Sequence, residues 1–348
     1  MNEKIPVAIL GATGAVGQKF VTLLADHPWF EIAALAASER SAGKKYGEAV
    51  RWIDAKPLPP HIAAMEVLEA VPGIRGAIAF SGMDASVAGP IEAGFAKAGA
   101  VVVTNTRNYR MEQDVPLLIP EINSDSLSLL PKQRADRGWK GYIVANPNCS
   151  TIVLVMALAP LHKAFGVEKV FVATMQAASG AGYPGVPSLD LLGNVIPKVE
   201  GEEEKMERET RKILGAPIIM SAHTNRVAVV DGHTESVSVG LKIAATPEAA
   251  TQVIQNFRAP PEVERLPTAP CPPILVHTTG DRPQPRLDAG LGNGMQVSVG
   301  RIRPCPILHL RFTALGHNTI RGAAGAAVLN AELLVARGQV PGVRGQAL

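Results

Sequence analysis

A glycine-rich turn directly behind an apolar run narrows the fold of this chain more than any other feature. Ile5–Leu10 is continuously apolar, as a parallel strand buried on both faces requires. Gly11-Ala12-Thr13-Gly14-Ala15-Val16-Gly17 follows, and Val16, Phe20, Val21, Leu23 and Leu24 then recur at helical spacing. Strand, tight turn and helix are thus joined by glycines placed for a sharp bend, for close backbone approach to a pyrophosphate, and for packing of helix on strand. The helix N-terminus would face the phosphates. Gly11, Thr13, Gly14, Ala15, Val16 and Gly17 are therefore the first candidate dinucleotide contacts, an ordinary tight turn being the alternative.

The apolar run 30–36 reads as the second strand, and Ser38-Glu39-Arg40 lies roughly 20 residues past the glycines, where an adenosine ribose is recognised. Glu39 suits a 2′-hydroxyl, as in NAD. Ser38 and Arg40, with Lys44 and Lys45 behind them, suit a 2′-phosphate, because a hydroxyl and a guanidinium match its acceptor oxygens. NADP is the favoured reading, and an exposed polar loop is the alternative.

Strands at 76–80 and 100–104, separated by a helix over 87–98, continue the βα rhythm of a parallel sheet. Ser81-Gly82 and Asn105-Thr106-Arg107-Asn108 then fall at the carboxyl edge, where doubly wound sheets bind ligands. Residues 130–140 read as a charged surface excursion, and Tyr142–Ala145 as another short strand. Beyond Cys149 the rhythm changes to strands at 169–176, 226–230, 235–243, 295–302 and 307–314 with few helices between. A final helix over 319–337 places Ile320, Ala324, Ala327, Val328, Ala331, Leu334 and Val335 on one face, and should pack back onto the first domain. The expected class is α/β: a Rossmann-type doubly wound parallel sheet, residues 1–148 with 316–348, plus an α+β catalytic domain, 149–315, with a mixed or antiparallel sheet.

At about 150 residues per domain, 348 residues accommodate two such cores. A net charge of +3 and no basic run leave nothing to track a nucleic-acid backbone. The longest apolar run, 152–161, spans 10 residues where a membrane helix needs about 20. The first four residues lead straight into a strand, leaving no room for a cleavable signal, so a cytoplasmic protein is expected. The 3 cysteines, Cys149, Cys271 and Cys305, have no paired spacing for zinc and are expected to be reduced, with no metal bound.

Cys149 lies in Asn146-Pro147-Asn148-Cys149-Ser150-Thr151, between a strand and an apolar helix. A helix N-terminus favours thiolate, and a thiolate can hold an acyl group as a thioester while hydride passes to or from a nicotinamide. The proline-flanked Cys271 and Cys305 read as inert. Such chemistry needs a proton carrier, and of the 8 histidines His233 is best placed, in Asp231-Gly232-His233-Thr234-Glu235 on a turn between strand-like segments.

Together, the glycine turn, Asn-Pro-Asn-Cys149-Ser-Thr and Asn225-Arg226-Val-Ala-Val-Val-Asp-Gly-His233-Thr-Glu resemble the aspartate-β-semialdehyde dehydrogenase family over nearly the whole chain. Arg110-Met111, residues 115–123 and Gly201-Glu-Glu-Glu-Lys205 resemble its archaeal and fungal branch. The resemblance implies NADP-dependent, reversible, phosphate-dependent oxidation of aspartate semialdehyde to β-aspartyl phosphate, run in reverse in biosynthesis of lysine, threonine and methionine. It implies Cys149 as acyl-thioester nucleophile, His233 as acid and base, and Gln176 as the residue orienting the intermediate. Arg226 would hold the substrate α-carboxylate; Arg107 and Lys205 the phosphate, with Asn108 beside them in the substrate pocket; and Glu202 the substrate ammonium. Glu203 remains an alternative to Glu202, and a solvated helix is the bland reading of both. Ser81 and Gly82 at the carboxyl edge, with Ser179, Gly180 and Asn318 at the nicotinamide end, would complete the cofactor site. His317 stands where many relatives have Asp. The resemblance also suggests a homodimer or homotetramer. Rival readings are a malonyl-CoA reductase on the same scaffold, more distantly an N-acetyl-glutamyl-phosphate reductase, and a non-catalytic protein that senses NADP.

Overall fold

The computed structural model describes residues 3–343, so residues 1–2 and 344–348 of the expected first domain lie outside it. Six strands, β1 (Ile5–Leu10), β2 (Phe30–Ala37), β3 (Val67–Glu69), β4 (Ile78–Ser81), β5 (Val101–Thr104) and β6 (Tyr142–Ala145), form a wholly parallel sheet in the order β3-β2-β1-β4-β5-β6. The order reverses at β1, which puts the glycine turn at the switch point of a doubly wound sheet. Phe20, Phe30 and Phe80 pack in mutual contact beneath it, with ring centroids 5.0 and 6.1 Å apart. Each such fully buried side chain contributes roughly 1.5–3 kcal/mol.

The second sheet contains β7 (Val167–Gln176), β8 (Ile219–Arg226), β9 (His233–Leu241), β10 (Ile274–His277), β11 (Val297–Pro304) and β12 (Leu310–Gly316), in the order β10-β11-β12-β9-β7-β8. It is mixed, with β7/β8 and β10/β11 parallel and the other pairs antiparallel. Its inner face is covered by the helix Cys149–Phe165, buried without interruption from residue 150 to 161. That helix has no polar face because it lies inside the molecule.

Several expectations are corrected. Residues 130–140 are not a mere surface excursion: Leu130–Arg137 is a helix, and its buried Gln133 exchanges hydrogen bonds of 2.7 and 3.0 Å with the backbone of Ile143. The strand expected at 226–230 is instead Ile219–Arg226. The apolar run after it is bent into a loop whose Val230 is 76% exposed, while the strand alternates exposed and buried positions, with polar Thr224 and Arg226 among the buried ones. The C-terminal helix packs on the first sheet as expected, but it is not amphipathic. Residues 321–335 are all buried, and its polar members find partners inside: Asn330 on Asn146, and Glu332 between His27 and Thr268. The segment begins with a π-turn, Ile320–Ala324, anchored by a bidentate ion pair of Arg321 with Glu121 at 2.6 and 3.0 Å, both side chains buried.

Two glycines of the turn are required by geometry. Gly11 has φ +79°, and a methyl group there would stand 2.9 Å from the Gly82 backbone; at Gly17 it would stand 2.2 Å from the Gly11 carbonyl oxygen. Gly17→Ala is expected to destabilise the protein by about 2 kcal/mol or more, read as a lower denaturant midpoint, because backbone on both sides must move. Gly280→Ala, with open space around it, is the control and should leave the midpoint within about 0.5 kcal/mol.

Candidate active site

The residue before Cys149 holds the site together. Asn148 caps the helix Cys149–Phe165, its Oδ1 accepting from the N–H groups of Ser150 and Thr151 at 3.0 and 3.2 Å. Its Nδ2 donates to Glu202 Oε2, and its backbone N–H to Glu209 Oε2, each at 2.7 Å. Glu202 and Glu209 lie seven residues apart on the helix Glu202–Leu214, two turns along one face. Glu209 also accepts from Arg110 Nη1 at 3.0 Å, and Arg110 Nη2 donates to the Asn105 carbonyl at 2.7 Å. Lys205 donates to Glu202 Oε1 at 2.7 Å. Arg110, Asn148, Glu202 and Glu209 are all buried, so two carboxylates and two cations bracket the chain where it enters Cys149.

Cys149 Sγ stands 3.3 Å from His233 Nε2. The other ring nitrogen, Nδ1, accepts from the Ala177 backbone N–H at 3.0 Å, so the neutral imidazole carries its proton on Nε2, facing the sulfur. Burial pushes the thiol up to about 12, helped by the Glu202 charge and opposed by Arg110 and Arg226. Burial likewise takes His233 down to about 3, with Arg226 and His317 adding to the effect. The pair is therefore neutral at pH 7. Burial thus works against the thiolate expected from the helix dipole, since a helix terminus contributes at most about 2 kcal/mol. His233 itself is the first residue of β9 rather than part of the turn before it.

Strand register lines up the remaining groups. Gln176 on β7 pairs with Arg226 on β8, and because Met175 pairs with Thr234 on β9, Gln176 stands level with His233. Arg226 Nη1 donates to the Ala177 carbonyl at 2.8 Å. Two glycines leave room for these side chains: a methyl at Gly180 would stand 2.6 Å from Arg226 Nη1, and one at Gly322 would stand 2.6 Å from Cys149 Cβ. Asn318 accepts from the Gly232 N–H and donates to Ser179 Oγ, both at 2.8 Å, tying the glycine loop to the turn before His233. Its neighbour His317 has its imidazole held below the usual range chiefly by burial. A cleft of about 290 Å3, lined by Ala15, Lys19, Ser179, Tyr183, Asp231 and Thr319, opens between the first helix and this loop.

The structure thus brings Cys149, His233, Gln176, Arg226, Glu202 and Lys205 together. Glu203 faces elsewhere, its Oε1 accepting from the Thr224 N–H at 2.9 Å. Arg107 and Asn108 are exposed, the latter donating to the Ala85 carbonyl at 2.9 Å. Arg110 is a second buried guanidinium near the sulfur beside Arg226, and with Ala177, Asn148, Glu209 and Gly322 it was given no site role from the sequence. Arg110 differed from Arg107 only in a partner on a helix 99 residues away.

The residues around the glycine turn fit a dinucleotide. Gly14 begins the helix Ala15–Leu24 without a side-chain cap, leaving the N–H groups of Ala15, Val16 and their neighbours to meet an anion. Thr13 is fixed through its carbonyl by Gln18 Nε2 at 3.1 Å. Gly82 lies under Val16, Ser81 is buried with its hydroxyl unpaired among the described residues, and Ser38, Glu39 and Arg40 are exposed at the end of β2.

Comparison with known proteins agrees with this arrangement. A family model described as semialdehyde dehydrogenase, NAD binding domain, matches residues 6–130, and one described as semialdehyde dehydrogenase, dimerisation domain, matches 158–321. The chain is 49% identical to an aspartate-semialdehyde dehydrogenase of Archaeoglobus fulgidus, covering 94% of this chain and 97% of the relative. It is 47% identical to that of Schizosaccharomyces pombe, covering 95% and 98%. Among solved structures, the Candida albicans enzyme with NADP superposes with a TM-score of 0.89 at 40% identity, covering 97% and 100%. A Vibrio cholerae enzyme complexed with ASA gives 0.77 at 29% identity, covering 96% and 99%.

Because the Glu202 charge holds the thiol proton on, Glu202→Gln should lower the thiol's pKa and speed alkylation of Cys149 by iodoacetamide at pH 8. In the parent protein the rate should keep rising with pH through 9 without a plateau, and a plateau near pH 8.5 would contradict the burial argument.

Proposed function

The chain belongs to the aspartate-semialdehyde dehydrogenase family, and on that premise we propose that it reduces L-aspartyl-4-phosphate to L-aspartate-4-semialdehyde through a thioester on Cys149. The observation that carries the reading is the contact of Cys149 Sγ with a histidine whose proton is held on the nitrogen facing it. In this reading NADPH supplies the hydride. Gly11, Thr13, Gly14, Ala15, Val16 and Gly17 would hold its pyrophosphate, with Ser81 and Gly82 alongside. Ser38 and Arg40 would hold its 2′-phosphate, and Ser179, Gly180 and Asn318 its nicotinamide end. The division into a cofactor domain, 1–148 with 316–348, and a catalytic and dimerisation domain, 149–315, is part of the same reading.

Each protein group then has a defined task. Cys149 Sγ forms the new C–S bond as the carbonyl–oxygen bond to phosphate breaks, and the thiol proton leaves with the departing phosphate because Nε2 already carries one. After reduction, His233 donates that Nε2 proton to the oxygen that develops negative charge. It takes the proton back as the C–S bond opens and the aldehyde forms, and the thiolate left on Cys149 takes up one proton from solvent, the proton the overall reduction consumes. Such positioned proton transfer is worth about 10²–10⁴-fold. Gln176, level with His233, orients the acyl oxygen. Arg226 offers a planar fork to the α-carboxylate, and Glu202 an anion to the ammonium. For the phosphate, the buried Arg110 with Lys205 fits better than Arg107, which stands with Asn108 at the exposed rim.

Two copies would meet on the outward face of the second sheet, where Phe171 is 44% and Ile219 66% exposed. No helix among the described residues is long and apolar enough to cross a membrane, and a cytoplasmic site of action completes the reading.

NADPH formation from aspartate semialdehyde should require inorganic phosphate and vanish in Cys149→Ala. Arg110→Ala should raise KM for phosphate at least about 10-fold, the loss of one charge-assisted contact, whereas Arg107→Ala should change it less. Activity with a CoA ester and none with phosphate would overturn the substrate assignment. In sedimentation the protein should run as a dimer or larger, and Phe171→Glu should shift it towards the monomer.

A further inference from the structure

One buried acid directly below the reacting row has no task in this mechanism. Glu235 is fully buried on β9, and neither of its carboxyl oxygens has a hydrogen-bond partner among the described residues. Alternation along β9 puts it on the face that carries His233, two residues away. Across the sheet it pairs with Thr174 on β7, which in turn pairs with Thr224 on β8. Thr224, Thr174 and Glu235 therefore form a polar row beneath Arg226, Gln176 and His233, and all six side chains are buried.

Thr174 connects the rows. Its Oγ1 accepts from Gln176 Nε2 at 3.4 Å, which leaves the hydroxyl hydrogen to be directed elsewhere. Thr224, on one side, is committed to Glu203 and to the Val199 N–H, at 3.4 and 3.2 Å. On the other side Thr174 directly opposes Glu235, and the Cβ atoms of such a pair lie about 4.5–5.5 Å apart.

We propose that Glu235 is a positioning residue for the reaction: its carboxyl receives the Thr174 hydroxyl hydrogen, which fixes the lone pair Thr174 presents to the Gln176 carboxamide and so sets that carboxamide beside His233. The inference rests on the proposed role of Gln176. Burial holds the Glu235 carboxyl well above the usual carboxylate range, so it acts as a neutral acid with one acceptor oxygen, a part that glutamine can also play.

The test measures steady-state reduction with NADPH, alongside thermal melting and NADPH affinity. Glu235→Gln should keep kcat within about 3-fold of the parent, while Glu235→Leu, matched in bulk but without an acceptor, should lower kcat roughly 10-fold with KM little changed. Thr174→Val should do the same, and the Thr174→Val/Glu235→Leu pair should be no slower than either single variant, since both act through one hydroxyl. Should Glu235→Leu fail to fold, Glu235→Met supplies the same comparison. Wild-type kcat in Glu235→Leu, or a Glu235→Gln enzyme as slow as Glu235→Leu, would overturn the proposal, as would fully multiplicative losses in the double variant. Gln176→Leu separates the premise from the inference: unchanged kcat there removes the role of Gln176, whereas a loss there with none in Glu235→Leu removes only that of Glu235.

Discussion

The structure depends on how the chain is held at Asn148. Its side chain caps a helix buried from residue 150 to 161, and both its side chain and its N–H are gripped by carboxylates of a second helix. Burying two glutamates is unfavourable unless cations and donors answer them, and here Arg110, Lys205 and the Asn148 groups do so. The network is anchored at its centre, so removing Arg110, Lys205 or either glutamate leaves an uncompensated charge close to Cys149. Such an arrangement gives a fixed position for Cys149 at the expense of stability, which the two apolar cores can sustain.

That position determines the electrostatics. A thiol in contact with an imidazole is often drawn as an ion pair, but burial here pushes the thiol up and the imidazole down, against that pairing. The Ala177 N–H selects the tautomer, so the ring is ready to give a proton to an oxygen before it accepts one. On the proposed function, the substrate ammonium would answer Glu202 and so weaken one influence that keeps the thiol protonated.

The first sheet was legible because its signals are local: an apolar run, glycines at set offsets, and a helical repeat lie within 24 residues. Cys149 and His233 were legible because a nucleophile and a proton carrier leave few alternatives. The second sheet was harder. β8 was displaced because its buried positions include Thr224 and Arg226, whereas the more apolar stretch after it is loop. Arg110 and Glu209 were invisible because each looks like a surface residue until its partner arrives from a distant element. The fully buried C-terminal helix misled in the opposite way, since a stripe of apolar residues does not reveal that its polar residues are buried too.

The central claim, that the acyl group passes through Cys149, is tested most directly by trapping it. Enzyme in which His233 is replaced by Asn, mixed with aspartyl phosphate without NADPH and quenched in acid, should gain the mass of one aspartyl group. Peptide mapping should place it on Cys149 as a hydroxylamine-labile thioester. Residue 149 staying unmodified under these conditions while the parent enzyme turns over with NADPH, or the acyl group appearing on another residue, would contradict the account.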